Sequence, residues 1–197
     1  MEILLDIIRS VDYNILLFIA DRLRGDVLDP VMTVLSLIGN GGAVWITLAV
    51  LLLHAADRLE IPFLYGINFG IGLAMLAGFL VGNLWLKELV MRPRPFVTHS
   101  DLTALLAPGD RWSFPSGHAL SSFAAATALW CFHKKTGVLA LVLAALIAFS
   151  RLYASVHYPT DVLAGALLGV LIGLAAAVLV DRVMDALHTI RLRKGDK

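Results

Sequence analysis

The chain has 197 residues, 59% of them apolar and 16% charged, with a mean hydropathy of +0.83. An ordinary soluble domain carries about 25% charged and 45–50% apolar residues, so this composition excludes a disordered chain and points to a membrane protein. A net charge of +1 without a long basic run gives no pull toward nucleic acid, and the single cysteine, Cys131, excludes a disulfide framework and any paired-cysteine motif.

Residues 3–20 are apolar but carry Asp6, Arg9 and Asp12. Glu2, Asp6, Arg9 and Tyr13 recur every three or four residues, which is a polar stripe on one helix face. No basic run precedes this stretch and no small-residue cleavage site follows, so it does not read as a signal peptide. A bilayer core of about 30 Å needs roughly 20 apolar residues in a helix. Residues 31–53, 61–86, 115–132, 136–156 and 162–180 satisfy this, with Arg151 the charge in the fourth.

Alternating five spans puts Arg58, Lys134, Lys135 and the tail residues Arg182, Arg191, Arg193, Lys194 and Lys197 on one side. These are eight of the sixteen basic residues. The positive-inside bias makes that side cytoplasmic. Residues 3–20 can lie in the interface or span with their polar stripe turned into the bundle, and a cytoplasmic N-terminus favours the second, since it requires them to cross. The expected fold is all-α, an integral-membrane six-helix bundle: five spans plus the amphipathic N-terminal helix, forming one membrane-embedded domain over 1–197.

Charges gather beside the bilayer in three places, all mapped to the outer side. Lys87-Glu-Leu-Val-Met-Arg-Pro-Arg94-Pro95 ends the 61–86 span, Phe114-Pro115-Ser116-Gly117-His118 opens the next, and Ser150-Arg151 through His157 to Asp161 joins the last two. Each piece alone has an ordinary reading. Lys87, Arg92 and Arg94 can snorkel from a helix end, Ser116 can cap a helix beside Pro115, and Asp161 can do the same after Pro159. His54, His99, His133 and His188 keep such an ordinary reading. Together, three cations, two histidines and a carboxylate at membrane depth point to a functional site.

Phosphoryl transfer without a metal needs such a set. Fixed cations neutralise the equatorial oxygens, and the Ser116 and Gly117 amides open a helix where anions bind. One imidazole attacks phosphorus while the other protonates the leaving oxygen, and a carboxylate steadies the attacking ring. Two rival readings exist. Two histidines and an aspartate can hold a metal, although three neighbouring cations would repel it. Asn40, Asn68 and Asn83 suggest a transporter, although Asn within spans also serves helix packing and transport sites sit near the midplane.

Lys87 through Pro95 fits K-x6-R-P, residues 115–118 fit P-S-G-H, and residues 150–161 fit S-R-x5-H-x3-D. In order and spacing these resemble the three signature motifs of the type 2 phosphatidic acid phosphatase superfamily, in its bacterial integral-membrane branch. The resemblance implies a metal-independent phosphatase with no cofactor and its site at the outer surface. His157 is then the nucleophile forming a phosphohistidine, Asp161 orients and polarises it, and His118 is the general acid. Lys87, Arg94, Ser116, Gly117 and Arg151 hold the phosphate, while Arg92, off the motif, is a candidate contact to a second phosphate or headgroup. The expected partners are the bilayer and a lipid phosphate or diphosphate. Undecaprenyl diphosphate is favoured over phosphatidylglycerophosphate and phosphatidic acid.

Overall fold

The computed structural model describes residues 2–61 and 63–195. Lys197, counted above in the basic tail, lies outside the described residues, as do the side chains of His188, Arg191, Arg193 and Lys194. Among the described residues every regular element is helical. The helices are α1 (Glu2–Arg22), α2 (Leu28–Ile38), α3 (Ala43–Leu59), α4 (Phe63–Gly78), α5 (Lys87–Val90), α6 (Pro95–Thr98), α7 (Gly117–Phe132), α8 (Lys134–Tyr153) and α9 (Pro159–Gly195). A π-helical stretch, Phe79–Leu86, carries α4 into α5. Four stretches are long and apolar enough to cross a bilayer: Asn40–Leu59, Phe63–Thr98, Lys134–Tyr153 and Pro159–Leu187. The chain is a multi-pass membrane protein.

The predicted continuous span 31–53 is broken. α2 stops at Ile38, and Asn40–Gly42 form a 3₁₀ turn before α3. Gly41 and Gly42 sit at φ of 58° and 72°, a left-handed conformation that costs other residues about 1–2 kcal/mol. Two adjacent glycines let the chain change direction there.

At the centre lies α7, only 16 residues long, with Ala119, Ala124, Ala125, Ala126 and Ala128 buried. It packs against α4, α8 and α9. Gly165, Gly169 and Gly173 line the facing side of α9. A Cβ on each would fall 2.6 Å from the Ser116 carbonyl, 2.5 Å from that of Leu120 and 2.6 Å from that of Ala124. The two backbones therefore touch. Small residues supply van der Waals contact between helices, which lipid surroundings reward because apolar burial alone drives little association there. Polar groups add to this: Trp45 Nε1 donates to Ser122 Oγ at 2.9 Å, and Asn68 Nδ2 to the Ala49 carbonyl at 2.8 Å.

The N-terminal segment is helical as its period predicts, and its polar face meets loops at one end of the bundle. Leu16 packs with Leu102 and Tyr158, Tyr13 hydrogen-bonds Asp101 and stacks on His99, and Asp12 is buried against Thr160. Just beyond the helix, Arg24 donates to the Tyr153 carbonyl, Ser155 Oγ and the Thr103 carbonyl at 2.8–3.1 Å. Asp12 and Arg22 stand about 15 Å apart along α1, yet the chain beside both meets loops at the same end of the bundle. α1 thus lies across that end rather than beside the bundle along its length.

Candidate active site

The C-terminal ends of α5 and α8 and the N-terminal ends of α7 and α9 meet at the end that α1 crosses. Between them is a cavity of about 320 Å³ lined by Lys87, Arg94, Gly117, His118, Arg151 and His157. All three sequence clusters therefore contribute to one wall. The rest of the lining includes the Gly39–Gly42 turn, Met75, Phe79, Asn83, Asp110, Leu120 and Ser121, so cationic and apolar side chains border one space.

Lys87, Arg94 and Arg151 are at most 6% exposed. Three buried cations around one space demand an anion. Here the anion is the Asp110 carboxylate, which pairs with both Lys87 and Arg94. Burial alone would raise the Asp110 carboxyl, but Lys87 and Arg94 outweigh it and hold it below the ordinary carboxylate range. In the sequence Asp110 stands in a turn-prone Pro108-Gly109-Asp110 and carries no mark of this pairing. Arg94 is further fixed by the Val156 carbonyl at 2.6 Å and the Asp110 carbonyl at 3.1 Å. Arg151 donates one arm to the Ser36 hydroxyl, while its buried Nε has no partner.

His157 is 2% exposed, and its Nδ1 lies 2.7 Å from the Ser113 carbonyl. A carbonyl only accepts, so Nδ1 carries the proton and Nε2 keeps its lone pair in the neutral ring. That Nε2 sits 3.4 Å from the Arg94 guanidinium. Burial pushes the His157 imidazole down to about 4, opposed by Asp161 and assisted by Arg94 and Arg151. The ring is neutral at ordinary pH. Ser113 carries no mark of this role in sequence, because any residue has a carbonyl.

Asp161 is fully buried with Oδ2 3.8 Å from His157 Nδ1, beyond hydrogen-bond reach but within electrostatic range. Oδ2 accepts instead from the Tyr158 amide at 2.9 Å, and Oδ1 accepts from Arg92 at 2.6 Å. His118 is the second residue of α7, with its Nε2 buried and unpartnered. Gly117 lines the cavity, where a Cβ would come 2.8 Å from Asn83 Oδ1.

Two expectations change in detail. Ser116 lies behind the wall: its amide donates to the Asp161 carbonyl at 3.0 Å, and its hydroxyl caps α7 at the Ala119 amide. It ties the second motif to the third and offers no free amide to the cavity. Arg92 points away from the cavity and pairs with Asp161 and Asp12. Of the other histidines, His99 stacks on Tyr13 and His133 caps α8. Among the described residues, no group of three or more His, Cys, Asp or Glu side chains is gathered where a metal ion would bind.

The chain matches the family model described as the PAP2 superfamily over residues 65–185. It is 47% identical over 78 residues to the bacitracin transport permease protein of Bacillus licheniformis, covering 40% of this chain and 38% of that one. It is 33% identical over 166 residues to the undecaprenyl-diphosphatase of Sulfolobus acidocaldarius, covering 82% and 75%. The chain spans only 38%, 54% and 52% of the length of three of the curated relatives it matches. Among solved structures it superposes on the first transmembrane PAP2-type phosphatidylglycerolphosphate phosphatase from Bacillus subtilis with a TM-score of 0.70 and 25% identity, covering 89% and 87%.

Proposed function

The chain belongs to the PAP2 superfamily, and from that premise we propose that it is a lipid-phosphate phosphatase working through a phosphohistidine on His157. The observation that carries this is the cavity itself. Lys87 and Arg94 already hold a carboxylate, Arg151 Nε and His118 Nε2 are left without partners, and the His157 lone pair stands beside them. A phosphoryl group that displaced Asp110 would meet three cations on its equatorial oxygens and a nucleophile on phosphorus.

His157 Nε2 attacks phosphorus, and the bond from phosphorus to the leaving oxygen breaks. His118 delivers a proton to that oxygen, then takes one from the water that hydrolyses the phosphohistidine, which releases inorganic phosphate and restores both rings. The positive charge that forms on His157 is steadied by the Ser113 carbonyl directly and by Asp161 across 3.8 Å. Lys87, Arg94, Gly117 and Arg151 border the phosphate, while Ser116 holds the wall behind them. None of these steps is routed through a metal or cofactor.

We read the substrate as undecaprenyl diphosphate, supported by the name of the Sulfolobus relative, with glycerophospholipid phosphates second, supported by that of the Bacillus subtilis structure. The permease name belongs to the Bacillus licheniformis protein. Against transport here, the charges lie at one end of the bundle and Asn68 is engaged in helix packing. The deciding experiment is phosphate release from undecaprenyl diphosphate, phosphatidylglycerophosphate and phosphatidic acid by the purified protein. Fastest turnover of a glycerophospholipid would replace the first substrate by the second, and release from none would overturn the reading.

The finer topology is also part of this proposal. We take α3, α4, α7, α8 and α9 as five crossings, with α1 seated on the outer end, where six crossings are expected from the sequence. The C-terminus is cytoplasmic, and the cavity opens on the extracytoplasmic face.

A further inference from the structure

We propose that Asp12 and Arg92 are positioning residues for the catalytic step, holding the Asp161 carboxylate against His157, so that α1 is part of the active site's construction. The inference rests on the role given to His157 above.

Asp161 stands on the first turn of α9, and something must fix both that turn and the carboxylate. Arg92 does the second: its Nη1 donates to Asp161 Oδ1 at 2.6 Å and to Thr160 Oγ1 at 2.7 Å, which leaves Oδ2 on the side of the His157 ring. Asp12 does the first. Its Oδ1 accepts from the Thr160 amide at 3.0 Å, and its Oδ2 accepts from the Thr160 hydroxyl at 2.5 Å and from Arg92 Nη2 at 2.8 Å. The guanidinium lies over the Tyr158 ring at 3.9 Å, which sets its plane. One aspartate from α1 thus holds the backbone that carries Asp161 and the cation that pairs with it.

The charges also count. Asp12 and Asp161 are 1% and 0% exposed and share one guanidinium, so the trio carries a net negative charge next to the ring that becomes positive during transfer. Without Asp12, Arg92 would pair with Asp161 alone and cancel that charge. Lys87, Arg94 and Arg151 serve the cavity and none of them pairs with Asp161. A lysine at 92 would keep the charge but lose the two-armed geometry.

Asp12→Asn, Arg92→Lys and Asp161→Asn, alone and as the double variant Asp12→Asn with Asp161→Asn, test this by phosphate release and ¹⁵N-histidine NMR. Asp12→Asn should lower kcat by about tenfold, the scale seen when an outer partner of a functional histidine is lost. KM should stay unchanged, and the His157 Nδ1 resonance should move. In the Asp161→Asn background the same change should have no further effect on kcat. A merely structural role would lower the melting temperature while leaving kcat, the resonance and additivity untouched, and that pattern would overturn the proposal. If Asp12→Asn is not recovered folded, Arg92→Lys is read by the same two measurements. A wild-type protein that releases no phosphate from any lipid would fault the functional reading, whereas an active wild type with an unaffected Arg92→Lys would fault this one.

Discussion

The Nδ1 proton of His157 is held by the Ser113 carbonyl, and this turns the Nε2 lone pair to the cavity wall, where it faces the Arg94 guanidinium at 3.4 Å, without help from a carboxylate hydrogen bond. His157→Ala should therefore abolish turnover in a protein that still folds, whereas His118→Ala should allow a phosphoenzyme to accumulate from a substrate with a good leaving group. Acid-labile phosphate retained on His157→Ala would refute the assignment. The ring also sets a pH response. Asp161, His118, Arg94, Arg151 and, beyond them, Lys87 and Asp110 face it, and burial brings it to about 4. An unfolded histidine titrates near about 6.5. Between these values the unfolded chain binds more protons, so this group's contribution to stability is complete above about 6.5 and is lost as pH falls toward 4. In the proposed mechanism only the neutral ring attacks, so kcat/KM on folded protein should hold down to about pH 5 and fall below it; a loss of rate already complete at pH 6 would contradict the neutral buried ring. Asp110 gives a third test. Its carboxylate competes with the incoming anion but is about half exposed, so the pairing is worth about 1 kcal/mol or less. Asp110→Asn should tighten competitive inhibition by vanadate or inorganic phosphate by roughly threefold, and weaker inhibition would show that the carboxylate assists the anion instead.

At the scale of the helix, the apolar runs in the sequence place the starts of α4, α8 and α9 within about three residues, because a long uncharged stretch has one economical structure in lipid. What those runs cannot reveal is a bend made by backbone alone. Asn40-Gly41-Gly42 is as free of charge as its flanks, so the turn between α2 and α3 disappears into a continuous hydrophobic count. Direction is equally hidden for α1. Its period of three to four residues announces a polar face but not whether that face meets the side of a bundle or its end. Arg92 and Asp12 are recognisable as charges at membrane depth, yet their pairing needs residues 80 positions apart to meet. Ser113 and the displaced role of Ser116 are backbone matters, which spacing does not report. The contact between α7 and α9 makes a prediction at this same scale. Gly169→Ala puts a Cβ within 2.5 Å of the Leu120 carbonyl, and forcing the helices apart should cost about 1–3 kcal/mol. Thermal unfolding in detergent should show a lower midpoint, with Leu167→Ala on the exposed face as the control. An unchanged midpoint for Gly169→Ala would mean that the helices separate freely.

For the whole molecule, the proposed orientation decides which leaflet would supply the substrate. Arg58, Lys134, Lys135 and Arg182 lie at one end of the crossings, and the cationic cavity lies at the other. The positive-inside bias supports the proposal that the cavity faces outward. A lipid whose chain stays in the bilayer avoids an extraction cost of about 0.8 kcal/mol per CH₂, and Met75, Phe79 and Leu120 give the cavity apolar lining beside its cations. Thiol labelling in intact cells tests orientation and crossing number together, with Cys131 replaced and single cysteines introduced as Ser100→Cys, Thr136→Cys and Glu2→Cys, all exposed positions. An impermeant reagent should reach position 100, on the loop beside the cavity, and miss position 136, at the turn between α7 and α8. Position 2 decides the rest. With α1 lying across the outer end it should label like position 100, because the proposed five crossings keep this end of the chain outside. Protection at position 2 together with labelling at 100 would restore a sixth crossing and place Asp12 partway down a spanning helix. Labelling at 136 with protection at 100 would invert the molecule and move the substrate to the cytoplasmic leaflet.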